Sequence, residues 1–383
     1  MQEGVLTPSM RYPCHEGYQV GRLKMRCHAH TSPADLRFAI ATSCNAYFCY
    51  VFRDILENPR YGSVKEGFDV WREYVESFGF GRKLDSDFLG EGNGYVPDRK
   101  FYDRRYRKSW NALTVLSLSI GQGELECTPL QMANLAAIVA NRGYYYIPHI
   151  VRSVEGRDSM DRRFYEKHYT KVDPKYFEPI VEGMWQSVHK EGGTSRTAYL
   201  PGLDVCGKTG TAQNPRGKDH STFLSFAPKD NPRIAISVYV ENGGFGASAA
   251  LPIASLLEEY YLTDTVTRPW LVEMGQAEND LLPGLWKITA SVIVRGRRSL
   301  DSADLCADRA GRLRGYPLRF VRRGGGEHFF LLAFLYETAR LDGNIVRRSG
   351  RRVAGRCEHL SQVGLSVLCP GIADPGSRSA VRS

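Results

Sequence analysis

One short run of residues has side chains that suit the binding of a carboxylate. It directly follows the apolar residues 203–207 and consists of Lys208, Thr209, Gly210 and Thr211. The lysine supplies a positive charge, the threonines supply hydrogen-bond donors, and the glycine leaves space where a peptide must lie against a strand. The run therefore predicts a strand edge that recognises the terminal carboxylate of a peptide.

A second polar group lies upstream, where a serine and an asparagine are separated by one residue. Ser43 and Asn45 interrupt the stretch 34–57, in which apolar residues otherwise recur at helical spacing. A turn between two helices would present both side chains to a cleft. There Ser43 could pass a proton beside Lys208, while Asn45 could hold a substrate amide.

The two runs together are typical of acyl-transfer sites that use a serine and a lysine, and such sites also need the nucleophilic serine of a Ser-x-x-Lys run. The chain has one internal run of this type, from Ser187 to Lys190. It follows Ser43 instead of preceding it, so we interpret it as chance. The sequence thus predicts groups that hold and orient a substrate without the serine that attacks it.

The predicted elements can bring these groups together. A Thr128 cap and Pro129 open an apolar helix, and Pro228 and Pro232 mark a turn that joins the last two strands in a hairpin. Residues 58–110 are predicted to be an irregular surface region apart from one helix. The expected helices are 34–57 with its interrupting turn, 68–79, 129–140, 174–191 and 247–262, and the expected strands are 203–208, 221–227 and 233–241.

Charge is distributed unevenly along the 383 residues. The formal net charge is +9, but residues 271–383 alone contain 17 arginines, one lysine and 11 acidic residues, which is +7. The first 270 residues are close to neutral, which argues against a nucleic-acid-binding surface there.

No stretch approaches the roughly 20 apolar residues of a membrane-spanning helix, and no basic-then-apolar secretory signal is found at the first residues.

Residues 1–270 resemble the transpeptidase domain of class B penicillin-binding proteins of the cell-elongation type. Besides the runs around Ser43 and Lys208, the resemblance rests on several others in family order, namely Gln2 to Pro8, Gly121 to Glu124, Thr128 to Ala133, Gly192 to Thr194, Phe226 to Pro228 and Val240 to Asn242. It implies an α/β (α+β) fold of the penicillin-binding-protein and β-lactamase type, in which helices flank an antiparallel sheet.

The resemblance also implies that the fold is truncated at its N-terminus. In the family the nucleophilic serine, a buried central helix and the first two of five strands precede the segment that resembles residues 2–8. Three strands are therefore expected to remain. A sheet without its neighbours exposes edges and apolar faces, so we expect this fragment to be unstable.

The activity implied by the resemblance is that of a peptidoglycan D,D-transpeptidase, which cleaves a terminal D-alanyl-D-alanine bond and passes the acyl group to an amine. Its implied partners are stem peptides, β-lactams and membrane proteins of the elongation complex such as a glycosyltransferase, at the periplasmic face of the inner membrane, with no nucleic acid. The backbone N–H of Thr211 would form half of an oxyanion hole. The resemblance implies that Ser43, Asn45 and Lys208 are catalytic residues. It also implies that Thr209, Gly210 and Thr211 bind the substrate.

Two other functions stay open at this point. A non-catalytic peptidoglycan-binding or assembly module would use the same cleft to bind stem peptide without turnover. A β-lactamase would share the Ser43 and Lys208 motifs, but the resemblance to elongation-type transpeptidases extends beyond those motifs.

A cluster of cysteines and histidines lies before and within the Ser43 to Asn45 run, and its members are Cys14, His15, Cys27, His28, His30 and Cys44. Cys14 and His15 could meet Cys27 and His28 across a hairpin, which would offer four sulfur and nitrogen ligands of the kind that zinc prefers. A structural zinc is therefore one expectation. A disulfide between Cys14 and Cys27 in an oxidising compartment and ordinary surface residues are the alternatives.

The composition changes after about residue 275. Arginine replaces lysine almost completely and the hydrophobic periodicity becomes hard to follow, so residues 271–383 are predicted to be a C-terminal extension that is disordered or, beyond about Lys287, translated out of frame. The alternative is an arginine-rich tail that binds phosphate or anionic lipid.

Overall fold

The computed structural model describes residues 1–88, 90–151, 161–268 and 270–271, together with the backbone of four strands beyond residue 286. These elements belong to one compact unit, Met1–Asp87 with Glu91–Arg340. Its α-helices are α1 Leu36–Ala41, α2 Asn45–Leu56, α3 Val64–Ser77, α4 Arg99–Arg105, α5 Pro129–Ala140, α6 Glu178–His189 and α7 Ala250–Thr263.

The strands form one large sheet and three small ribbons. The small ribbons pair β1 Gly17–Val20 with β2 Leu23–Arg26, β3 Tyr144–Tyr145 with β4 His168–Tyr169, and β9 Cys306–Ala307 with β10 Leu313–Arg314. The large sheet contains β5 Cys206–Ala212, β6 His220–Ala227, β7 Ile234–Val240, β8 Lys287–Arg295 and β11 Phe329–Glu337, in the order β11-β8-β7-β6-β5 with every pair antiparallel.

Side-chain caps explain where several helices begin. Thr128 and Gln131 form a capping box at the start of α5, with Pro129 at the first helical position, as the sequence predicts. Helix α3 begins earlier than expected because the Ser63 hydroxyl accepts the Glu66 N–H. Helix α4 lies in the region predicted to be irregular, and Asp98 caps it in the same way.

The expectation of only three strands is wrong. Strands β8 and β11 lie beyond residue 270, and β8 pairs with β7 from Ile234 opposite Val294 to Val240 opposite Ile288. The arginine bias of the whole segment hid a run at 288–294 that is rich in β-branched residues and therefore suits a strand. The boundary near 275 stays a prediction, because residues 272–286 lie outside the described part.

The sheet separates two apolar cores. Alternate residues of a strand point to opposite faces, so Ala235 joins the core that contains α2 and α5, while Ile236 joins the core beneath α7. Strand β5, which carries Lys208, is at one edge of the sheet and packs against α6. Among the described residues, no helix is long and apolar enough to cross a membrane.

One acidic side chain is enclosed in the core beneath α7. Glu258 is only 1% exposed, and burial raises its pKa to about 8 against smaller opposing effects of Ser225 and Arg268. Its neighbour Glu259 differs, because the Arg268 guanidinium pairs with it at 2.9 Å. Glu258 is therefore expected to keep its proton in the folded protein at neutral pH.

This proton makes stability depend on pH. Because the pKa of Glu258 is about 8 in the folded chain and has its ordinary value of 4.5 when exposed, the unfolded chain releases the proton first, and the free energy of unfolding should fall between about pH 4.5 and pH 8. In Glu258→Gln this fall should be smaller. Urea titrations of both proteins across that range measure the difference, with the exposed Glu191→Gln as the control. Parallel curves for the wild type and Glu258→Gln would contradict the assignment.

Candidate functional site

The chain brings its two chemistry-bearing runs into contact. The Nζ atom of Lys208 donates hydrogen bonds to the Ser43 hydroxyl at 2.8 Å and to the Thr209 carbonyl oxygen at 2.6 Å. Strand β5 starts later than the sequence predicts and continues to Ala212, so Lys208 lies inside the strand and not at its end. A lysine on an edge strand thus reaches across to the turn between α1 and α2.

Backbone geometry fixes the position of Ser43. Its φ is 58°, in the left-handed region, and its N–H donates to the Ile40 carbonyl oxygen at 3.3 Å. Helix α1 ends before it, and the Cys44 sulfur accepts the Tyr47 N–H at the start of α2. The predicted break between two helices is present, and it turns the Ser43 hydroxyl toward Lys208.

Withdrawal from water changes the acidity of Lys208. Burial of its ammonium lowers the pKa of Lys208 to about 8. The neutral fraction of Lys208 near neutral pH is therefore larger than that of an exposed lysine. An anion that entered the cleft would favour the charged form.

Asn45 joins the site to the first ribbon. Its side-chain amide nitrogen donates to the Arg26 carbonyl oxygen at 2.7 Å, at the end of β2. The bond uses one of the two amide hydrogens. Asn45 thus has a structural contact in addition to the substrate contact predicted for it.

The two threonines of the run have different partners. Thr209 donates its hydroxyl proton to the Thr194 hydroxyl at 2.9 Å. Thr211 accepts the Gly246 N–H at 3.2 Å, which leaves its own hydroxyl proton available to a ligand. The Gln122 amide also donates to the Thr211 carbonyl oxygen, at 3.4 Å.

Close packing constrains Gly210, for which the sequence predicts a place in substrate binding. A Cβ atom at this position would lie 2.6 Å from Thr222 Cγ2, and a Cβ on Gly246 would lie 2.4 Å from the Gly210 carbonyl oxygen. A side chain at position 210 would therefore displace the Thr222 methyl group, and one at position 246 would meet the Gly210 backbone. Space for a peptide has to come from the open edge of β5.

The internal Ser-x-x-Lys run does not form a nucleophile pair. Ser187 is fully buried on α6 and donates to the Ser195 hydroxyl at 2.8 Å, while the Lys190 ammonium lies 5.7 Å from the centre of the Trp185 ring. Among the described residues, the hydroxyl in hydrogen-bond contact with Lys208 Nζ is that of Ser43.

A compact group of sulfur and nitrogen atoms adjoins Ser43. One ligand atom from each of four residues lies within 4.8 Å of the others, and the residues are Cys14, Cys27, His30 and Cys44. Three thiols and an imidazole are a donor set that suits tetrahedral zinc. The first ribbon brings the two distant cysteines together, since Gly17 of β1 pairs with Arg26 of β2.

The cluster differs from the predicted ligand set in two of its four residues. Cys14 and Cys27 meet as expected, but His15 and His28 are exposed, and His30 and Cys44 take their places. His30 and Cys44 do belong to the cysteine and histidine cluster seen in the sequence, but the predicted four-ligand set left them out. Cys14 and Cys27 are free thiols in this structure.

Hydrogen bonding and burial give the three thiols of the cluster different pKa values. The pKa of the Cys27 thiol is lowered to about 5, chiefly because the Cys44 thiol donates a hydrogen bond to it. The pKa values of Cys44 and Cys14 are raised, that of Cys44 mainly by the same hydrogen bond and that of Cys14 mainly by burial. A thiolate at Cys27 is the form that a metal ion binds.

Several residues of the site were not identified from the sequence as site residues. Thr194, Gln122, Gly246 and Arg26 all contact the Ser43 or Lys208 runs through hydrogen bonds. Thr194 and Gln122 do belong to runs that carried the family resemblance. Gly246 and Arg26 act through backbone atoms, which leave no mark in the residue type.

Residues 1–257 match the family model described as penicillin binding protein transpeptidase domain. The chain is 32% identical over 252 residues to the peptidoglycan D,D-transpeptidase MrdA of Acinetobacter baumannii, an alignment that covers 60% of this chain and 35% of that protein. The chain thus spans about a third of the length of this curated relative.

Solved structures have the same fold. Penicillin-binding protein 2 of Pseudomonas aeruginosa, in complex with WCK 5153, superposes with a TM-score of 0.58 at 32% identity, covering 68% of this chain and 55% of that one. Penicillin-binding protein 2 of Helicobacter pylori, in complex with MreC, gives a TM-score of 0.53 at 25% identity, covering 68% of this chain and 46% of that one.

Proposed function

Because this chain belongs to the penicillin-binding-protein transpeptidase family, we propose that it carries the substrate-holding wall of a peptidoglycan D,D-transpeptidase. The observation that carries the proposal is the contact between Lys208 Nζ and the Ser43 hydroxyl at the open edge of β5. In this proposal a stem peptide lies along β5 and directs its terminal carboxylate to Thr211 and Lys208.

The hydrogen bonds support one direction of proton transfer. Lys208 donates to the Ser43 oxygen, so the Ser43 hydroxyl proton points elsewhere and can be given to a leaving amine. Lys208, whose pKa is about 8, can then return a proton to Ser43 near neutral pH. The attack on the acyl carbon needs a further nucleophile, for which Ser187 is unsuited because it is fully buried.

A second candidate function is a module that binds stem peptide without turnover. It is favoured because the hydroxyl that contacts Lys208 belongs to Ser43, which is the proton-relay serine of the family motif and not the serine of a Ser-x-x-Lys run. The serine of the internal Ser-x-x-Lys run, Ser187, lies buried against Ser195. The two functions make the same prediction for reversible peptide binding. They differ in whether a covalent acyl group forms.

The binding proposal predicts recognition of a carboxylate. A peptide ending in D-alanyl-D-alanine should bind, and its C-terminal carboxamide should bind about tenfold or more weakly, because a hydrogen bond or ion pair to a charged group is lost. Lys208→Met and Thr211→Val should reduce this preference. Isothermal titration calorimetry measures it, with Lys100→Met on α4 as the control.

The pH dependence of binding tests the role of Lys208 separately. The affinity for the carboxylate peptide should be constant well below pH 8 and should fall as pH rises above it, because Lys208 loses its charge there. In Lys208→Met the affinity should be lower and nearly independent of pH in that range. Equal affinity of the wild type for carboxylate and carboxamide at pH 7 would contradict the proposal.

Fluorescent penicillin distinguishes the two functions. We expect no fluorescent band after denaturing electrophoresis of this chain, because the acyl-enzyme of the family forms on the serine of a Ser-x-x-Lys run and Ser187, the serine of the internal run, is fully buried. A band that survives denaturation would favour turnover, and its loss in Ser43→Ala or in Ser187→Ala would identify the acylated serine. A sham reaction with protein unfolded beforehand is the control for nonspecific labelling.

We also propose that Cys14, Cys27, His30 and Cys44 hold a structural zinc ion. The support is the distance of at most 4.8 Å between their ligand atoms together with the sulfur and nitrogen chemistry of the set. When bound, zinc would crosslink the first ribbon to the start of α2. Because Cys44 lies between Ser43 and Asn45, the same link would hold the catalytic turn in place.

Variants of the histidines discriminate between the structural set and the sequence-based one. Refolded wild-type protein should contain one zinc per chain by metal analysis, and Cys44→Ser and His30→Ala should lose it. His15→Ala and His28→Ala should retain it, as should Cys49→Ser, which replaces a buried cysteine outside the set. Zinc that is lost in His28→Ala but retained in His30→Ala would contradict the proposal, and so would a Cys14 to Cys27 disulfide found by mass spectrometry.

The proposed setting follows from the relatives. Since the chain matches part of an MrdA transpeptidase, and a similar structure is a complex with MreC, we propose that the chain works at the periplasmic face of the inner membrane with membrane proteins of the elongation complex, including a glycosyltransferase. Co-purification from cells that carry tagged partners tests this setting.

A further inference from the structure

We propose that Thr194 is a positioning residue that sets the direction of the Thr209 hydroxyl. The inference rests on the proposed function, in which the Lys208 to Thr211 run binds a peptide carboxylate. Thr194 contacts Thr209 through their hydroxyl oxygens at 2.9 Å. It belongs to the Gly192 to Thr194 run, to which neither the sequence nor the proposed mechanism assigns a role.

Two glycines determine the position of Thr194. Gly192 has a φ of +78°, which reverses the chain after α6, and a Cβ atom on Gly193 would lie 2.2 Å from the Ser187 carbonyl oxygen and 2.8 Å from that of Gln186. Any side chain at Gly193 would therefore push the turn away from α6. The two glycines allow Thr194 to approach both sides of the cleft, which are the turn between α1 and α2 and strand β5.

Thr194 forms hydrogen bonds to both sides of the cleft. Its N–H donates to the Ala41 carbonyl oxygen at 3.0 Å, at the end of α1 and two residues before Ser43. Its hydroxyl meets Thr209 on β5, next to Lys208. The residue thus connects the turn that carries Ser43 with the strand that carries the carboxylate-binding groups.

The hydroxyls extend into the protein as a chain. Behind Thr194 lies the Ser187 hydroxyl, at 3.4 Å from Thr194 Oγ1, and Ser187 in turn donates to Ser195 at 2.8 Å. Both serines are fully buried. This explains why Ser187 is a serine although it has no part in a nucleophile pair.

The direction of the hydrogen bonds matters for an anion. In this structure Thr209 donates to Thr194, so Thr209 presents only oxygen lone pairs to the cleft, and these repel a carboxylate. If Thr194 rotates its proton toward Thr209, the Thr209 proton is released to the carboxylate. Ser187 can donate to Thr194 in that arrangement, because either atom of their contact can be the donor.

A hydroxyl at position 194 therefore fixes the orientation of the Thr209 side chain by a hydrogen bond and, when it is the donor, leaves the Thr209 proton to the carboxylate. Thr194→Val keeps the shape but forms no hydrogen bond with Thr209, so the Thr209 hydroxyl is no longer held in the direction of the carboxylate, and binding of a D-alanyl-D-alanine peptide should weaken by about tenfold. Thr194→Ser should restore binding to within about threefold of the wild type, which also accounts for the lost methyl group. Neither change should affect the C-terminal carboxamide, a difference that a merely structural role would not produce.

A double-mutant cycle completes the test. In a Thr209→Val background, Thr194→Val should have little further effect on carboxylate affinity, because the hydroxyl that it orients is gone. Binding is measured by calorimetry on the full chain, and thermal melts check that each variant is folded. Equal losses of carboxylate and carboxamide affinity in Thr194→Val, or full additivity in the cycle, would overturn the inference.

Failure of this inference can be distinguished from failure of the proposed function. If the wild type does not prefer the carboxylate peptide, the proposed function fails. If the wild type shows the preference, Thr211→Val reduces it and Thr194→Val leaves it unchanged, the role of Thr194 alone is wrong.

Discussion

The hydrogen bond between Lys208 and Ser43 constrains much of the molecule. Its partners are 165 residues apart in the chain and belong to different layers, since one lies on the edge strand β5 and the other on the turn between α1 and α2. The bond can form only if the sheet fixes β5 and if the left-handed backbone at Ser43 is stabilised. The α1–α2 turn, the packing of α6 and the hairpin of β6 and β7 all contribute to this single contact.

Edge position and burial act together at the site. Among the described strands β5 has a neighbour on one side only, so its outer edge can accept an extended peptide, while the ammonium of Lys208 is withdrawn from bulk water. Burial lowers the pKa of Lys208 to about 8, which brings the proton affinity of the lysine near neutral pH, as the proposed proton relay requires. An exposed lysine on the same strand would remain charged and would serve only to attract an anion.

The turn at Ser43 is braced from two directions. On one side Asn45 holds the end of β2, and Cys44 joins three other ligand-type residues that suit zinc. On the other side the Thr194 backbone pairs with Ala41. Because a left-handed residue such as Ser43 costs conformational energy, contacts of this kind are needed to keep it in one place.

The sequence determined the local elements and the identity of the chemical groups. Capping residues and apolar periodicity predicted α5, the break between α1 and α2, and the hairpin of β6 and β7, because these features depend on residues close together in the chain. The motifs also predicted that Ser43, Asn45 and Lys208 would share one site. Helix α4 and the four strands beyond residue 286 were missed, since a short helix has little periodicity and arginine-rich composition obscured the strands.

Only the tertiary structure decided which residues meet. Proximity in three dimensions replaced His15 and His28 with His30 and Cys44 in the ligand cluster, placed Gly210 against Thr222, and connected Thr194 to Thr209. None of these contacts has a signature in spacing along the chain, because each joins residues from different elements whose distance depends on the packing of sheet and helices. The sequence supplies the donors and acceptors, and the fold selects the pairs among them.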